Sequence, residues 1–222
     1  MSVLVAALGM AGPVPMCLLR RRRYSLSYLK MLLIFLTVSA SGVLGAALGS
    51  WLGGGDLTGK RLYGLMLLDT ATLLLTYRLF GMSLADMGDF IAAPVILSCA
   101  SAKIDCILQD CCYGIVLKPL PEEGRAIRFP SAIVELSVWA VLSLVMLLLE
   151  RNKKLKGLMW PIAMISFGMI RFVVDYFRGS TADRRPFCPG ITMGQFWSLV
   201  CLAVGIMFIV FMTLQKKKEQ ES

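Results

Sequence analysis

Histidine is absent from this 222-residue chain, and charged side chains are scarce. Without histidine no imidazole can act as a general base or a metal ligand, so a proton acceptor has to be a carboxylate or a phenol. Charged residues make up 17% of the chain and hydrophobic residues 57%. This composition is too apolar for a soluble globular domain and has too little charge for a disordered chain. It indicates a membrane protein.

Seven apolar segments are long enough, or nearly so, to cross a bilayer, which takes about 20 apolar residues. They are residues 1–19, 31–52, 62–76, 87–102, 130–149, 158–177 and 191–214. The pattern predicts an all-α, polytopic membrane protein with about seven transmembrane helices, forming one integral membrane domain over residues 1–222. Gly12-Pro13-Val14-Pro15 interrupts the first segment. A cleaved signal peptide is disfavoured there, because its charge would precede the apolar run and here four arginines follow it.

The Lys and Arg residues predict how these helices are oriented, since such residues favour the cytoplasmic side. If the four arginines after the first segment are cytoplasmic, more than half of the 23 Lys and Arg residues fall on that side. They are Arg20, Arg21, Arg22, Arg23, Lys30, Arg78, Arg151, Lys153, Lys154, Lys156, Lys216, Lys217 and Lys218. We therefore expect the N-terminus outside and the C-terminus inside. The outer side keeps enough cations to suit an anionic phospholipid headgroup.

Residues 102–114, AKIDCILQDCCYG, form a dense polar stretch directly after an apolar run. Ionisable groups at membrane depth are costly unless they are paired or hydrated, so this stretch is a candidate functional site. Its C-x4-C-C spacing without histidine is a poor zinc site, and adjacent cysteines pair only with strain. We therefore expect no metal site there. Cys17, Cys99 and Cys201 lie in apolar runs and are expected to be inert packing residues.

Four blocks of the sequence resemble motifs of the phosphatidylglycerol–prolipoprotein diacylglyceryl transferase family. They are residues 58–64 (TGKRLYG), 102–114, 128–135 (RFPSAIVE) and 168–178 (GMIRFVVDYFR), the last followed by ITMGQ at 191–195. The first resembles a span that begins with an aromatic residue or histidine and then glycine. The others resemble, in order, the family's G-R-x-G-N/C-F-x-x-G-x-x-x-G, H-P-S/T-Q-L-Y-E, and G-x-x-R-F-x-x-E-F-F-R with S/T-M-G-Q. Order and spacing agree from about residue 58 to residue 200.

The resemblance implies an enzyme of the bacterial inner membrane with seven spans and its N-terminus outside. The family moves a diacylglyceryl group from phosphatidylglycerol to the lipobox cysteine thiol of a prolipoprotein. A thioether forms, and glycerol phosphate leaves. The implied partners are therefore phosphatidylglycerol, the prolipoprotein signal peptide and the membrane. No cofactor is implied, and we expect no nucleic-acid partner.

The anionic leaving group requires fixed positive charge, which makes Arg171 a candidate catalytic residue and a candidate phosphate ligand. Lys103 can supply a second charge, although an ammonium binds phosphate less directionally than a guanidinium. The matched positions also imply Cys106 and Gly114 as lipid-binding residues. Gly114 is expected to have a turn role, and Gly168 is expected to let two helices approach closely.

The attacking sulfur has to be a thiolate, so the reaction needs a base. Tyr63, Glu135 and Asp175 are the candidates. Each has a second interpretation: Tyr63 as an aromatic anchor at the membrane interface, Glu135 as a hydrogen-bond partner of the headgroup, and Asp175 as a salt-bridge partner of Arg171 one helical turn away.

The second block is heavily substituted relative to the family. Lys103 stands where the family has arginine, Cys106 stands at the asparagine position, and Tyr63 aligns with the family's histidine. Two other functions therefore stay open. One is a catalytically silent paralogue that binds phospholipid or a membrane partner, which the substitutions favour. The other is a membrane thiol redox protein that uses Cys106 and the adjacent pair Cys111 and Cys112.

Overall fold

The computed structural model describes residues 12–52, 61–109, 112, 114–119, 126–179 and 186–221, with side chains as far as residue 214. Most of these residues are helical. The described helices are α1 Pro13–Arg20, α2 Tyr28–Leu52, α3 Leu62–Thr76, α4 Leu84–Leu108, α5 Ser131–Leu149, α6 Met159–Asp175 and α7 Met193–Glu221. Two antiparallel pairs of short strands connect helices: β1 Val116–Pro119 with β2 Ala126–Arg128, and β3 Pro186–Cys188 with β4 Ile191–Thr192.

Four of the described helices are long and apolar enough to cross a membrane. They span Tyr28–Leu52, Leu84–Leu108, Ser131–Leu149 and Met193–Leu214, while α3 is a shorter apolar helix. The helices expose many leucine, valine and phenylalanine side chains, as surfaces facing lipid do. The mainly helical membrane fold is therefore confirmed. The count of seven spans stays a prediction, because α1 and α6 have only 8 and 17 residues.

Helix α4 is longer than the sequence predicted. We expected a span over residues 87–102, but the helix starts at Leu84, where Ser83 caps it, and continues to Leu108. The polar residues Lys103, Asp105 and Cys106 therefore lie on the last turns of a helix. The prediction of this boundary was wrong because polar residues near the end of an apolar run were interpreted as its end.

Pro94 lies inside α4 and cannot donate the hydrogen bond that would normally reach the carbonyl of Phe90. The guanidinium of Arg20, at the end of α1, donates hydrogen bonds to the backbone carbonyls at this position instead. Its Nη1 donates to the carbonyl oxygen of Phe90 at 2.5 Å and its Nη2 to that of Asp89 at 2.7 Å. The proline is thus tolerated in mid-helix because a neighbouring helix satisfies the freed carbonyl.

Arg20 also forms a buried ion pair at the same end of the bundle. Its Nε donates to Oε2 of Glu150 at 2.9 Å, and Oε1 of Glu150 accepts from the hydroxyl of Tyr24 at 2.5 Å. Burial and this hydrogen bond to Glu150 raise the pKa of Tyr24 above its ordinary value. Together these contacts join α1, α4 and the C-terminal end of α5.

Two pairs of helices approach closely at glycines. On α2, Gly45 faces Gly64 of α3, where a Cβ added to either residue would overlap the backbone of the other. On α6, an added Cβ at Gly168 would lie 2.7 Å from the carbonyl oxygen of Ser198 on α7. The prediction that Gly168 permits close helix packing is confirmed.

We predict that Arg20→Gln destabilises the protein by about 3–5 kcal/mol, because it removes one partner of a buried ion pair and leaves the Phe90 carbonyl unsatisfied. Thermal unfolding in detergent would measure the loss. Arg22→Gln is the matched control, since Arg22 is an exposed arginine two residues away. Equal midpoints for the two variants would contradict the structural role given to Arg20.

Candidate functional site

Glu135, in the first turns of α5, is the centre of a buried charged cluster. Its carboxylate is fully buried, and Lys103 Nζ lies 2.8 Å from Oε2. Arg171 Nη1 lies 3.1 Å from the same oxygen, and Arg178 Nη1 lies 3.8 Å from Oε1. The end of α4, the start of α5 and the end of α6 therefore meet at one end of the bundle. We call these four side chains the charged cluster.

The charged cluster contains more positive than negative charge. The side chains of Lys103, Arg171 and Arg178 are at most 6% exposed, so water screens them little. Buried charges are tolerated only when they are paired, and here one carboxylate is shared by three cations. Counted over these four side chains, the cluster suits an anion that can accept hydrogen bonds from planar guanidinium groups.

Arg178 follows the end of α6, and its backbone pairs with the segment at Gly114 and Ile115. Gly114 forms an isolated antiparallel bridge with it, and the N–H of Ile115 donates to the carbonyl of Phe177 at 3.0 Å. The N–H of Gly114 donates to the carbonyl of Phe129 at 3.1 Å, and an added Cβ would overlap that oxygen. Gly114 is therefore required for close backbone approach, and the expected turn role was wrong.

Asp175 ends α6 with a fully buried carboxylate. Its Oδ2 accepts from Oγ1 of Thr192 at 2.5 Å, while its Oδ1 has no hydrogen-bond partner among the described residues. The alternative in which Asp175 forms a salt bridge with Arg171 was wrong, because the carboxylate bonds to the chain just before α7 instead. An unsatisfied buried carboxylate oxygen costs free energy, so it marks a position where a hydrogen-bond donor of a ligand would be stabilised.

The TMGQ motif caps α7. The N–H of Gln195 donates to Oγ1 of Thr192 at 3.1 Å, and the N–H of Thr192 donates to Oε1 of Gln195 at 3.1 Å. This reciprocal pattern is a capping box, which satisfies two backbone donors at a helix start. Because the same Thr192 hydroxyl donates to Asp175, the motif also fixes the start of α7 against the end of α6.

Tyr63 is buried, with 1% of its surface exposed, so its alternative role as an interfacial anchor was wrong. Its hydroxyl donates to the carbonyl of Gly49 at 3.0 Å and accepts from Nη1 of Arg61 at 2.9 Å. Its ring stacks on Trp197 with the ring centres 5.3 Å apart. Tyr63 thus lies where α2, α3 and α7 meet, and sequence reasoning missed the buried Arg61 beside it.

The cysteines fall into two groups. Cys17, Cys99 and Cys201 are buried, as predicted for packing residues, whereas Cys106, Cys112 and Cys188 are half-buried. The Sγ of Cys112 lies 3.7 Å from Nη2 of Arg178, next to the charged cluster. Cys111, which the redox alternative also used, lies outside the described residues. Within the described part of the chain, no three His, Cys, Asp or Glu residues are grouped as a metal site would need.

The structure brings together three of the residues proposed from sequence, namely Lys103, Glu135 and Arg171. It adds Arg178, which sequence reasoning quoted only as the last letter of the 168–178 block. That position was the available signal, because Arg178 lies seven residues after Arg171 and thus, had the helix continued, on the same helical face.

Apolar helices of spanning length around a buried, cation-rich cluster define a helical membrane protein with an internal charged site. The chain belongs to the prolipoprotein diacylglyceryl transferase family, whose model matches residues 4–211.

Curated relatives carry the same name, phosphatidylglycerol–prolipoprotein diacylglyceryl transferase. The protein from Helicobacter pylori (strain Shi470) is 24% identical over 43% of this chain and 34% of its own length. The one from Francisella tularensis (strain SCHU S4) is 27% identical over 64% of this chain and 56% of its own. The one from Streptococcus uberis is 30% identical over 58% and 52%. The chain thus spans about a third to just over half the length of these relatives.

We predict that Lys103 and Glu135 are energetically coupled. Unfolding of Lys103→Met, Glu135→Gln and the double variant forms a thermodynamic cycle, and the double variant should be more stable than the sum of the single effects predicts. The expected coupling is roughly 0.5–3 kcal/mol, because each single change leaves a buried charge without its partner. Strictly additive effects would contradict the ion pair.

Proposed function

We propose that this protein transfers a diacylglyceryl group from phosphatidylglycerol to the lipobox cysteine thiol of a prolipoprotein in the bacterial inner membrane. The observation that carries the proposal is the charged cluster, in which Lys103, Arg171 and Arg178 share one buried carboxylate. Family membership supports the reaction type.

The charge requirement of the reaction fits this cluster. The thiolate sulfur attacks the glyceryl carbon that carries the phosphate ester, a carbon–sulfur bond forms, and the carbon–oxygen bond to phosphate breaks. The oxygen leaves with the bonding electrons as glycerol phosphate, so one unit of negative charge moves from sulfur to phosphate. Fixed cations at the phosphate stabilise the transition state, in which this charge is developing, more than they stabilise the ground state.

The proposal gives the residues of the charged cluster different tasks. The guanidinium groups of Arg171 and Arg178 can each bind two phosphate oxygens, whereas Lys103 contributes a single-point donor. Glu135 holds these cations in place, and because its carboxylate is already shared by three of them it is a poor proton acceptor. Its role is therefore to position the phosphate ligands.

Asp175 is the best-placed candidate for the base that takes the thiol proton. It is buried one helical turn from Arg171, and its Oδ1 is unsatisfied within the described structure. Tyr63 is less suitable, because its hydroxyl already donates to a backbone carbonyl and accepts from Arg61. Cys106 lies three residues after Lys103 on α4, and Gly114 supports Arg178 through its backbone.

The orientation belongs to the same proposal, with seven spans, the N-terminus outside and the C-terminus inside. The end of the bundle opposite the charged cluster carries exposed Arg22, Lys153 and Lys154 beside the Arg20–Glu150 pair. Such residues favour the cytoplasm, so the cluster opens to the outer side, where phosphatidylglycerol and the prolipoprotein thiol would meet.

We predict that a reporter fused after Lys218 lies in the cytoplasm, and that a reporter inserted at residues 120–125 lies outside. The physical reason is the accumulation of Lys and Arg at one end of the bundle. Paired alkaline phosphatase and fluorescent protein fusions would measure both positions. An external C-terminal reporter would overturn the orientation.

We predict that the purified protein in nanodiscs releases glycerol phosphate from phosphatidylglycerol when a lipobox peptide is added. Arg171→Gln and Arg178→Gln should each lower the rate on the order of 10²-fold, because each removes a charge that stabilises the leaving phosphate. Asp175→Asn should lower it roughly 10²–10⁴-fold if Asp175 is the base. Arg128→Gln, at an exposed arginine, is the matched control and should leave the rate unchanged.

The outcomes separate the alternatives. Phosphatidylglycerol binding that needs Arg171, without any release of glycerol phosphate, would replace the enzyme by a silent lipid-binding paralogue. A thiol-dependent activity lost in Cys106→Ala or Cys112→Ala, with no transfer in the wild type, would favour a redox protein. Full activity of Arg171→Gln would refute the role given to the charged cluster.

A further inference from the structure

Asp69 is a buried acid inside the helical bundle that neither the fold nor the charged cluster accounts for. It lies in the middle of α3 and is 1% exposed. Its Oδ1 accepts from Oγ of Ser41 on α2 at 2.5 Å, and no described Lys or Arg forms an ion pair with it. An ionisable residue at this depth is costly unless it is paired, so Asp69 is a candidate binding residue.

Three other buried acids, Asp89, Glu150 and Glu135, show what a structural role looks like. Asp89 accepts from the backbone N–H groups of Gly157 at 2.7 Å and Met159 at 3.0 Å, which fixes the start of α6. Glu150 pairs with Arg20, and Glu135 pairs with the charged cluster. Among the described residues, the one hydrogen-bond partner of the Asp69 carboxylate is the neutral Ser41 hydroxyl, and no described cation is paired with it.

Asp69 lines an apolar cavity of about 290 Å³ between α1, α2, α3 and α4. On α4 the cavity wall runs from Phe90 to Asp105, which is about 22 Å at 1.5 Å per helical residue. On α2 it runs from Ile34 to Ala46, about 18 Å. The length and the apolar lining of this cavity fit a hydrocarbon chain.

The polar groups of the cavity select the sign of the charge on its ligand. The described lining residues include Asp69 and Asp105 together with serines, and no Lys or Arg. Asp105 accepts a hydrogen bond from the side chain of Gln109 at the end of α4. The neighbouring Lys103 points away, to Glu135. On α4, Lys103 therefore faces the charged cluster, while Asp105 faces the apolar cavity, as does Asp69 on α3.

We propose that this cavity binds a single alkyl chain that carries a primary ammonium group, with the ammonium paired to Asp69. Ser41, which bonds to Asp69, lies seven residues after Ile34 on α2. The cavity therefore extends about 10 Å from Asp69 toward the start of α2, where it can hold the apolar part of the ligand. The ammonium supplies the counterion that the buried carboxylate lacks, and the apolar walls supply the hydrophobic contribution. This ligand is chemically distinct from the anionic phospholipid of the proposed transfer.

Photolabelling in nanodiscs tests the proposal with three probes that share one diazirine-bearing dodecyl chain and end in an ammonium, a hydroxyl or a carboxylate. Mass spectrometry would locate the labels. We expect the ammonium probe to label cavity residues of α2 and α4 about tenfold more than either other probe, the effect of one weak buried charge pair. Equal labelling by all three probes, or preference for the carboxylate, overturns the proposal.

Two variants separate the charge from the cavity. Asp69→Asn should reduce labelling by the ammonium probe to the level of the hydroxyl probe, whereas Asp86→Asn, at a partly exposed acid paired with Lys156, should change nothing. Val95→Phe fills the cavity and should reduce labelling by all three probes. If Asp69→Asn keeps the ammonium preference, or if Val95→Phe has no effect, the site is wrong. Labelling does not depend on glycerol phosphate release, so its result is independent of the proposed transfer.

Discussion

The carboxylate of Glu135 is the interaction on which the cation-rich end of this protein depends. Three basic side chains converge on this carboxylate: one from α4, one from α6 and one from the segment that follows α6. Each of them has only a few per cent of its surface exposed. Without this carboxylate, Lys103, Arg171 and Arg178 would repel one another in a medium that screens poorly. The same pairs set how far α4, α5 and α6 extend past one another, so the position of each guanidinium is fixed before any ligand arrives.

Helix α4 connects this end to the opposite one. Near its start, the backbone freed by Pro94 is held by Arg20, and near its end Lys103 joins Glu135. The 13 residues from Phe90 to Lys103 separate the two contacts by about 20 Å, which is most of the thickness of a hydrocarbon core. Polar anchors at both ends of one buried helix fix its depth and its rotation, which apolar packing alone would leave less well defined.

Sequence reasoning predicted what depends on local pattern and missed what depends on convergence. The bounds of α3, the close packing at Gly168 and the choice of Glu135 and Arg171 as site candidates all follow from apolar runs, small residues or family motifs. The end of α4 could not be predicted, because its polar last turns are stabilised by contacts with α5 and α6. The hydrogen bond from Thr192 to Asp175 was equally hidden, since it joins two helices across a connection with no signal of its own.

The substitution of lysine for arginine at position 103 changes the proposed phosphate site less than the sequence suggested. An ammonium lacks the planar fork of a guanidinium, but Arg171 and Arg178 keep two forks beside the same carboxylate. The loss of histidine has a larger consequence, because no imidazole can then share the task of accepting the thiol proton. Among the described residues, Asp175 is left with one buried carboxylate oxygen that has no hydrogen-bond partner. In the proposed transfer, binding of the phosphate is therefore retained by two guanidinium groups, while proton removal depends on one carboxylate.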